Sequence, residues 1–319
     1  MKKTDIYFDS RDGESRIHAV RYEPEEDSLK DGRPVAILQI VHGMAEYAER
    51  YEETAKFFTD RGFVVTGEDH LGHGGSVAEG GTYGYFCRRD PATVVVRDVH
   101  RLKKMTQELY PGIPYFFLGH SMGSFILRNY LCRYGTGIQG AVIMGTGMHS
   151  GLVLSLGKAV AGVQGLFCGD RHVSRLLDKI VFGGYNKRIE RPRTPYDWLS
   201  QNEENVDTYS ADPLCGFTFT VNGFRTSFEL ISRILKPSNL EKIPKNLPVF
   251  FVSGTDDPVG DYGEGVKRAY DSLDEAGLEH LALKLYEGGR HEILNETNGR
   301  QVMQDIYDWI MPKLSGGAS

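Results

Sequence analysis

The chain has 319 residues, 40% of them hydrophobic and 25% charged, the balance of a soluble globular protein long enough to bury a large core. A net charge of -6 leaves no basic footprint for neutralising phosphates, so nucleic acid is not an expected partner. Four cysteines, Cys87, Cys132, Cys168 and Cys215, lie far apart without paired metal-ligand spacing and read as reduced thiols.

The N-terminal residues carry two lysines but neither an apolar stretch nor a cleavage signature, and no segment has the apolar length to span a bilayer, so a cytoplasmic location is expected. Residues 6–8 and 16–22 have strand character and flank Asp12 and Gly13, which predicts a hairpin. Residues 34–41 form a longer apolar strand that runs into His42, Gly43 and Met44. Residues 49–61 place Tyr51, Thr54, Ala55, Phe57 and Phe58 at helical spacing, and a buried-type strand follows at 63–67. A glycine-rich loop, 68–89, leads to a helix over 93–110.

Residues 115–134 change character halfway. Residues 115–118 are an aromatic and apolar strand, and from Met122 onward Phe125, Ile126, Asn129, Tyr130 and Arg133 follow helical spacing. At the junction stand Gly119, His120, Ser121, Met122 and Gly123, the G-x-S-x-G pattern in which a strained turn presents a serine hydroxyl above a sheet. Alone the pentapeptide is weak, because a chain with 38 glycines meets it readily by chance. It makes a prediction, however: an acid after a later strand and a histidine after the last one.

A short strand at 141–144 continues the alternation of strand and helix, which predicts a mostly parallel sheet covered on both faces. The alternation stops over 146–240, which reads as an inserted cap between core segments 1–145 and 241–319. It resumes with a strand at 249–253, a helix at 264–276, a strand at 281–286 and a helix at 300–313; residues 315–319 are expected to be disordered. Asp256 and Asp257 follow the strand at 249–253, and His291 follows the final strand. Either aspartate could merely cap its turn, but Asp257, directly before Pro258, is the favoured acid. The order Ser121, Asp257, His291 is the one that nucleophilic acyl transfer on such a sheet requires. Oxyanion donors are expected from the backbone N–H groups of Met122, after the nucleophile, and Met44, after the early strand.

The chain resembles the α/β-hydrolase superfamily, in particular its monoacylglycerol lipase and lysophospholipase branch, also called serine aminopeptidase S33. The carriers are HGMAEYAERY at 42–51, EDHLGHGGS at 68–76, LGHSMGS at 118–124, DPLCGF at 212–217, SGTDDPVG at 253–260 and GGRHEILNE at 288–296. The resemblance implies an α/β-hydrolase fold with an inserted helical cap, triad roles for Ser121, Asp257 and His291, oxyanion roles for Met44 and Met122, and no cofactor. One departure is Leu71, where relatives commonly carry arginine, so no substrate contact is carried over for that loop. His70 and His73 are expected to stabilise their turn rather than to bind metal.

Substrate class rests on the insertion. Leu152, Leu156, Ala159, Val160, Val163 and Phe167 fall near one helical stripe that either packs on the sheet or forms a greasy entrance able to make transient contact with a lipid surface. Arg191, Arg193, Tyr196, Trp198, Phe217, Phe219 and Phe224 are candidates to line a pocket. The expected activity is hydrolysis of a small-molecule acyl ester such as a monoacylglycerol or lysophospholipid. A thioesterase, small-ester esterase or aminopeptidase on the same triad is the alternative, and a non-catalytic ligand-binding protein a remote one. The sequence does not specify substrate-binding residues or oligomeric state.

Overall fold

Polar residues at the N-terminus form more strand than their composition suggests. In the computed structural model, which describes residues 1–148 and 151–314 apart from the side chains of 152 and 153, strand β1 (Lys2–Asp9) pairs antiparallel along its whole length with β2 (Arg16–Glu23). It is an edge strand with one side in solvent, so backbone pairing rather than apolar alternation holds it. Residues 315–319 and the side chain of Leu152 lie outside the described residues.

The chain then alternates through β3 (Ala36–Val41), α1 (Glu52–Thr59), β4 (Phe63–Glu68), α2 (Pro91–Leu109), β5 (Tyr115–His120), α3 (Met122–Tyr134) and β6 (Gly140–Met144). Between β6 and the next strand lie α4 (Gly151–Cys168), α5 (Arg175–Phe182), α6 (Glu203–Ala211), α7 (Val221–Ile234) and α8 (Pro237–Leu240). The alternation closes with β7 (Val249–Gly254), α9 (Glu264–Glu275), β8 (Leu281–Tyr286) and α10 (Gly299–Leu314). The expected elements are all present, with ends shifted by a few residues; the first turn of the helix expected at 49–61 is a separate 3-10 turn, Ala48–Tyr51.

The sheet order is β1-β2-β4-β3-β5-β6-β7-β8. Pairs from β4 to β8 are parallel, and β2 is antiparallel to both its neighbours. This is the α/β-hydrolase fold. Both faces are covered: Phe117 of β5 packs with Ile126, Leu127 and Tyr130 on one, whereas Phe116 and Leu118 pack with Phe58, Val302 and Ile306 on the other. Alternate residues of one strand thus seed two cores, each such side chain contributing roughly 1.5–3 kcal/mol through burial. The order places the carboxyl ends of β3, β5, β6 and β7 in one row, where a ligand site is expected. All four cysteines are free thiols.

Candidate active site

Ser121 sits between β5 and α3 with φ 54° and ψ -122°, a conformation that a non-glycine residue keeps only where its surroundings enforce it. The enforcement is visible. The Ser121 N–H donates to Met144 O at 3.0 Å, and Ser121 O accepts from the N–H and hydroxyl of Ser124 at 2.9 and 2.5 Å. Close packing requires Gly123: a Cβ there would lie 1.9 Å from Val41 O, so no other residue lets α3 approach β3 this closely.

His291, on the loop after β8, directs Nδ1 at Asp257 Oδ1 across 3.0 Å, with both side chains buried. Asp257 also accepts from the Val259 N–H at 2.9 Å and the Ser253 hydroxyl at 3.1 Å. Burial pushes its carboxyl up, but His291 and these donors outweigh burial and hold it below its ordinary value. Asp256, the competing aspartate, is exposed. With Nδ1 facing the carboxylate, Nε2 of His291 is left for the cavity, which Ser121 and His291 both line.

Met44 lines the same cavity, and Met122 opens α3, where the helix dipole favours negative charge. The turn carrying Met44 is built around a carboxylate that sequence reasoning missed. Glu46 Oε1 accepts from the Gly43 N–H at 2.5 Å and the Tyr51 hydroxyl at 2.9 Å and faces His120 Nδ1 at 3.2 Å. Its Oε2 accepts from Arg50 at 2.7 Å, and Arg50 in turn forms two bonds with Glu292, at 2.7 and 3.0 Å. Burial opposes the charge on Glu46, but His120 and Arg50 prevail and hold it well below the usual carboxylate range. Burial likewise lowers His120, yet Glu46 raises it above its ordinary value. The members of this network stand in the sequence motifs at 42–51, 118–124 and 288–296, but spacing pairs only Glu46 with Arg50, four residues apart on one turn.

The histidines of the β3 and β4 loops serve the turns. His42 Nε2 accepts from the His70 N–H at 3.0 Å while its Nδ1 donates to Gly43 O at 2.8 Å, which fixes a neutral tautomer; burial, then His70 and His73, keep its pKa well below the ordinary value. His73, similarly buried, is pushed down to about 3. Leu71 is buried in the core and does not line the cavity.

The cavity, about 390 Å³, is also lined by residues from between β6 and β7, including Phe182, Asn186, Tyr196, Trp198, Tyr209 and Phe217. Of the candidate lining residues, Tyr196, Trp198 and Phe217 reach it. Phe219 and Phe224 are buried core instead, and Arg191 and Arg193 are exposed, Arg193 pairing with Asp207. Among the described side chains of α4 the buried positions are Leu154, Gly157 and Ala161, on the side where α4 packs against α7 and where Phe228 approaches Gly157 so closely that an added Cβ would lie 3.1 Å away. Leu156, Val163, Leu166 and Phe167 therefore point to solvent rather than onto the sheet.

A family profile described as serine aminopeptidase, S33 matches residues 32–298. The chain is 28% identical over 286 residues to a monoglyceride lipase homolog of Monkeypox virus, covering 88% of this chain and 91% of that one. It is 29% identical over 287 residues to a monoglyceride lipase of Homo sapiens, covering 88% and 83%. Among solved structures, a highly thermostable carboxyl esterase from Bacillus coagulans in complex with glycerol superposes with a TM-score of 0.89 at 32% identity, covering 98% of this chain and 99% of that one.

Proposed function

The chain belongs to the serine aminopeptidase S33 family of α/β-hydrolases and is a carboxylic ester hydrolase, and from that premise we propose that it cleaves monoacylglycerols with a Ser121, His291, Asp257 triad. The observation that carries the reading is the 3.0 Å contact of His291 Nδ1 with buried Asp257, in the cavity that Ser121 lines from its strained turn.

In this mechanism Asp257 fixes the imidazole tautomer, so that His291 Nε2 removes the Ser121 proton as Oγ attacks the ester carbonyl. The oxyanion is received by the N–H groups of Met44 and Met122, each such donor being worth about 3 kcal/mol of barrier. His291 returns its proton to the departing alcohol. Water, activated by the same imidazole, then releases the acid and regenerates Ser121.

Monoacylglycerol is favoured over other esters because relatives named for that activity match most of the chain, and because the cavity combines apolar walls at Phe182, Trp198 and Phe217 with polar groups at Asn186 and Tyr196. Residues 146–240 form the cap in this reading. Leu176 and Ile180 of α5 are exposed, whereas Asp178 and Phe182 of the same helix line the cavity, so one helix offers an outer apolar face and an inner wall. With Leu166 and Phe167 of α4 it would meet the lipid phase from which the acyl chain enters. No helix among the described residues is long and apolar enough to cross a membrane, and a cytoplasmic location completes the proposal. A panel of monoacylglycerols, lysophospholipids and p-nitrophenyl esters, with Ser121→Ala as blank, tests it: preference for a lysophospholipid or a thioester would overturn the substrate assignment.

A further inference from the structure

Ala45, next to Met44, has φ 53°, a left-handed conformation that a non-glycine residue holds only under constraint. The constraint comes from the inserted segment. Ala45 O accepts two hydrogen bonds, from the Gly216 N–H at 3.0 Å and from the Tyr209 hydroxyl at 3.1 Å. A third tie runs the other way, the Tyr47 hydroxyl donating to Asp212 Oδ2 at 2.8 Å.

The turn that supplies these bonds is itself fixed. Asp212 O accepts from the Cys215 N–H at 3.0 Å, and Asp212 Oδ1 accepts from the Leu214 N–H at 2.8 Å. Gly216 has φ 67°, and a Cβ on it would lie 2.6 Å from the hydroxyl oxygen of Tyr196, which donates to Gly216 O at 2.9 Å. Only glycine delivers its N–H from that position. The Tyr209 ring is held by the Arg50 guanidinium, 4.8 Å from its centroid. The motif at 212–217, which the triad chemistry leaves without a role, is thus the outer half of a clamp whose inner half is Glu46 on the Gly43 N–H.

We propose that Tyr209 and the turn from Asp212 to Gly216 are positioning elements for the oxyanion donor, locking Ala45 and through it the direction of the Met44 N–H. The proposal rests on the reading of Met44 as a donor. Released from its two partners, Ala45 relaxes toward negative φ and re-aims the 44–45 peptide unit; this shifts Met44, whose own N–H lies one peptide unit further back, so the insertion is needed for the chemical step as well as for access.

The test is Tyr209→Phe, which removes one hydroxyl, with Tyr47→Phe as a milder second variant that carries the test if the first does not fold. On p-nitrophenyl butyrate, Tyr209→Phe is expected to lower kcat about tenfold with KM within about twofold, and to weaken inhibition by an alkyl trifluoromethyl ketone by the same factor as kcat/KM, because the tetrahedral adduct places its oxygen between the same donors. Tyr47→Phe should move both quantities in the same direction by less. An unchanged kcat overturns the clamp, as does a lower kcat without weaker ketone inhibition. A loss confined to glycerol esters also overturns it, since that would make Tyr209 a ligand of the alcohol. Failure of wild-type protein to react with a fluorophosphonate at Ser121 would sink the triad reading itself, a separate outcome.

Discussion

Glu46 and His120 meet across 3.2 Å in the buried layer beside Ser121, joining the turn of Met44 to the strand end that carries Ser121. His120 Nε2 reaches onward to the backbone carbonyl of His291 at 3.3 Å, so one imidazole, itself next to Ser121, links the Met44 turn to the His291 loop. The pair has consequences for stability that are separate from the chemistry.

Glu46 is held well below its ordinary 4.5, so its contribution is present above about pH 4.5 and is lost as pH falls through the lowered value. His120 is raised above 6.5, so its contribution is present below 6.5 and is lost as pH rises through the raised value. Urea unfolding of the wild type across pH should therefore show greatest stability between these limits. Glu46→Gln should flatten both limbs and cost about 3–5 kcal/mol, because Arg50 and His120 lose a buried partner.

Asp257→Asn should lower kcat on a p-nitrophenyl ester by about four orders of magnitude, as loss of the tautomer-fixing carboxylate does in triads of this kind. Asp256→Asn, in solvent one residue earlier, should stay within about twofold. Reversal of the two would reassign the acid.

Gly123→Ala should be severely destabilising, by more than about 4 kcal/mol, since its Cβ would occupy the position of Val41 O. Gly162→Ala on α4 meets nothing within 4 Å and should raise stability by up to about 1 kcal/mol. Thermal melts of the two variants beside the wild type check both signs.

The exposed apolar face of α4 and α5 should matter only when substrate is in a lipid phase. Leu166→Ser with Phe167→Ser should reduce hydrolysis of an emulsified long-chain monoacylglycerol severalfold while leaving p-nitrophenyl butyrate within about twofold. Equal losses on both substrates would assign these residues to the fold instead.

Much of the fold was legible because parallel strands buried on both faces are continuous apolar runs closed by glycine and proline, as at β5 and β7. The candidate triad could be placed because each residue follows a strand, Ser121 directly after β5, Asp257 three residues after β7 and His291 five residues after β8. The network behind it was not. Arg50 and Glu292 are 242 positions apart, and neither residue's neighbours indicate that the two will meet, Glu292 buried and Arg50 largely so. The direction of α4 was also hidden, because Gly157, which lets it pack on Phe228, lies away from the apolar stripe, for which the sequence left both a packing and an exposed reading open. Phe219 and Phe224 resembled pocket residues only because aromatic composition does not distinguish a wall from a core.

The most direct measurement of the central claim is intact-protein mass spectrometry after a fluorophosphonate reaction, with peptide mapping of the adduct. The proposed triad predicts a single adduct on Ser121, formed far more slowly in Asp257→Asn and absent in Ser121→Ala together with ester hydrolysis. An adduct on another residue, or wild-type hydrolysis by Ser121→Ala, would contradict it.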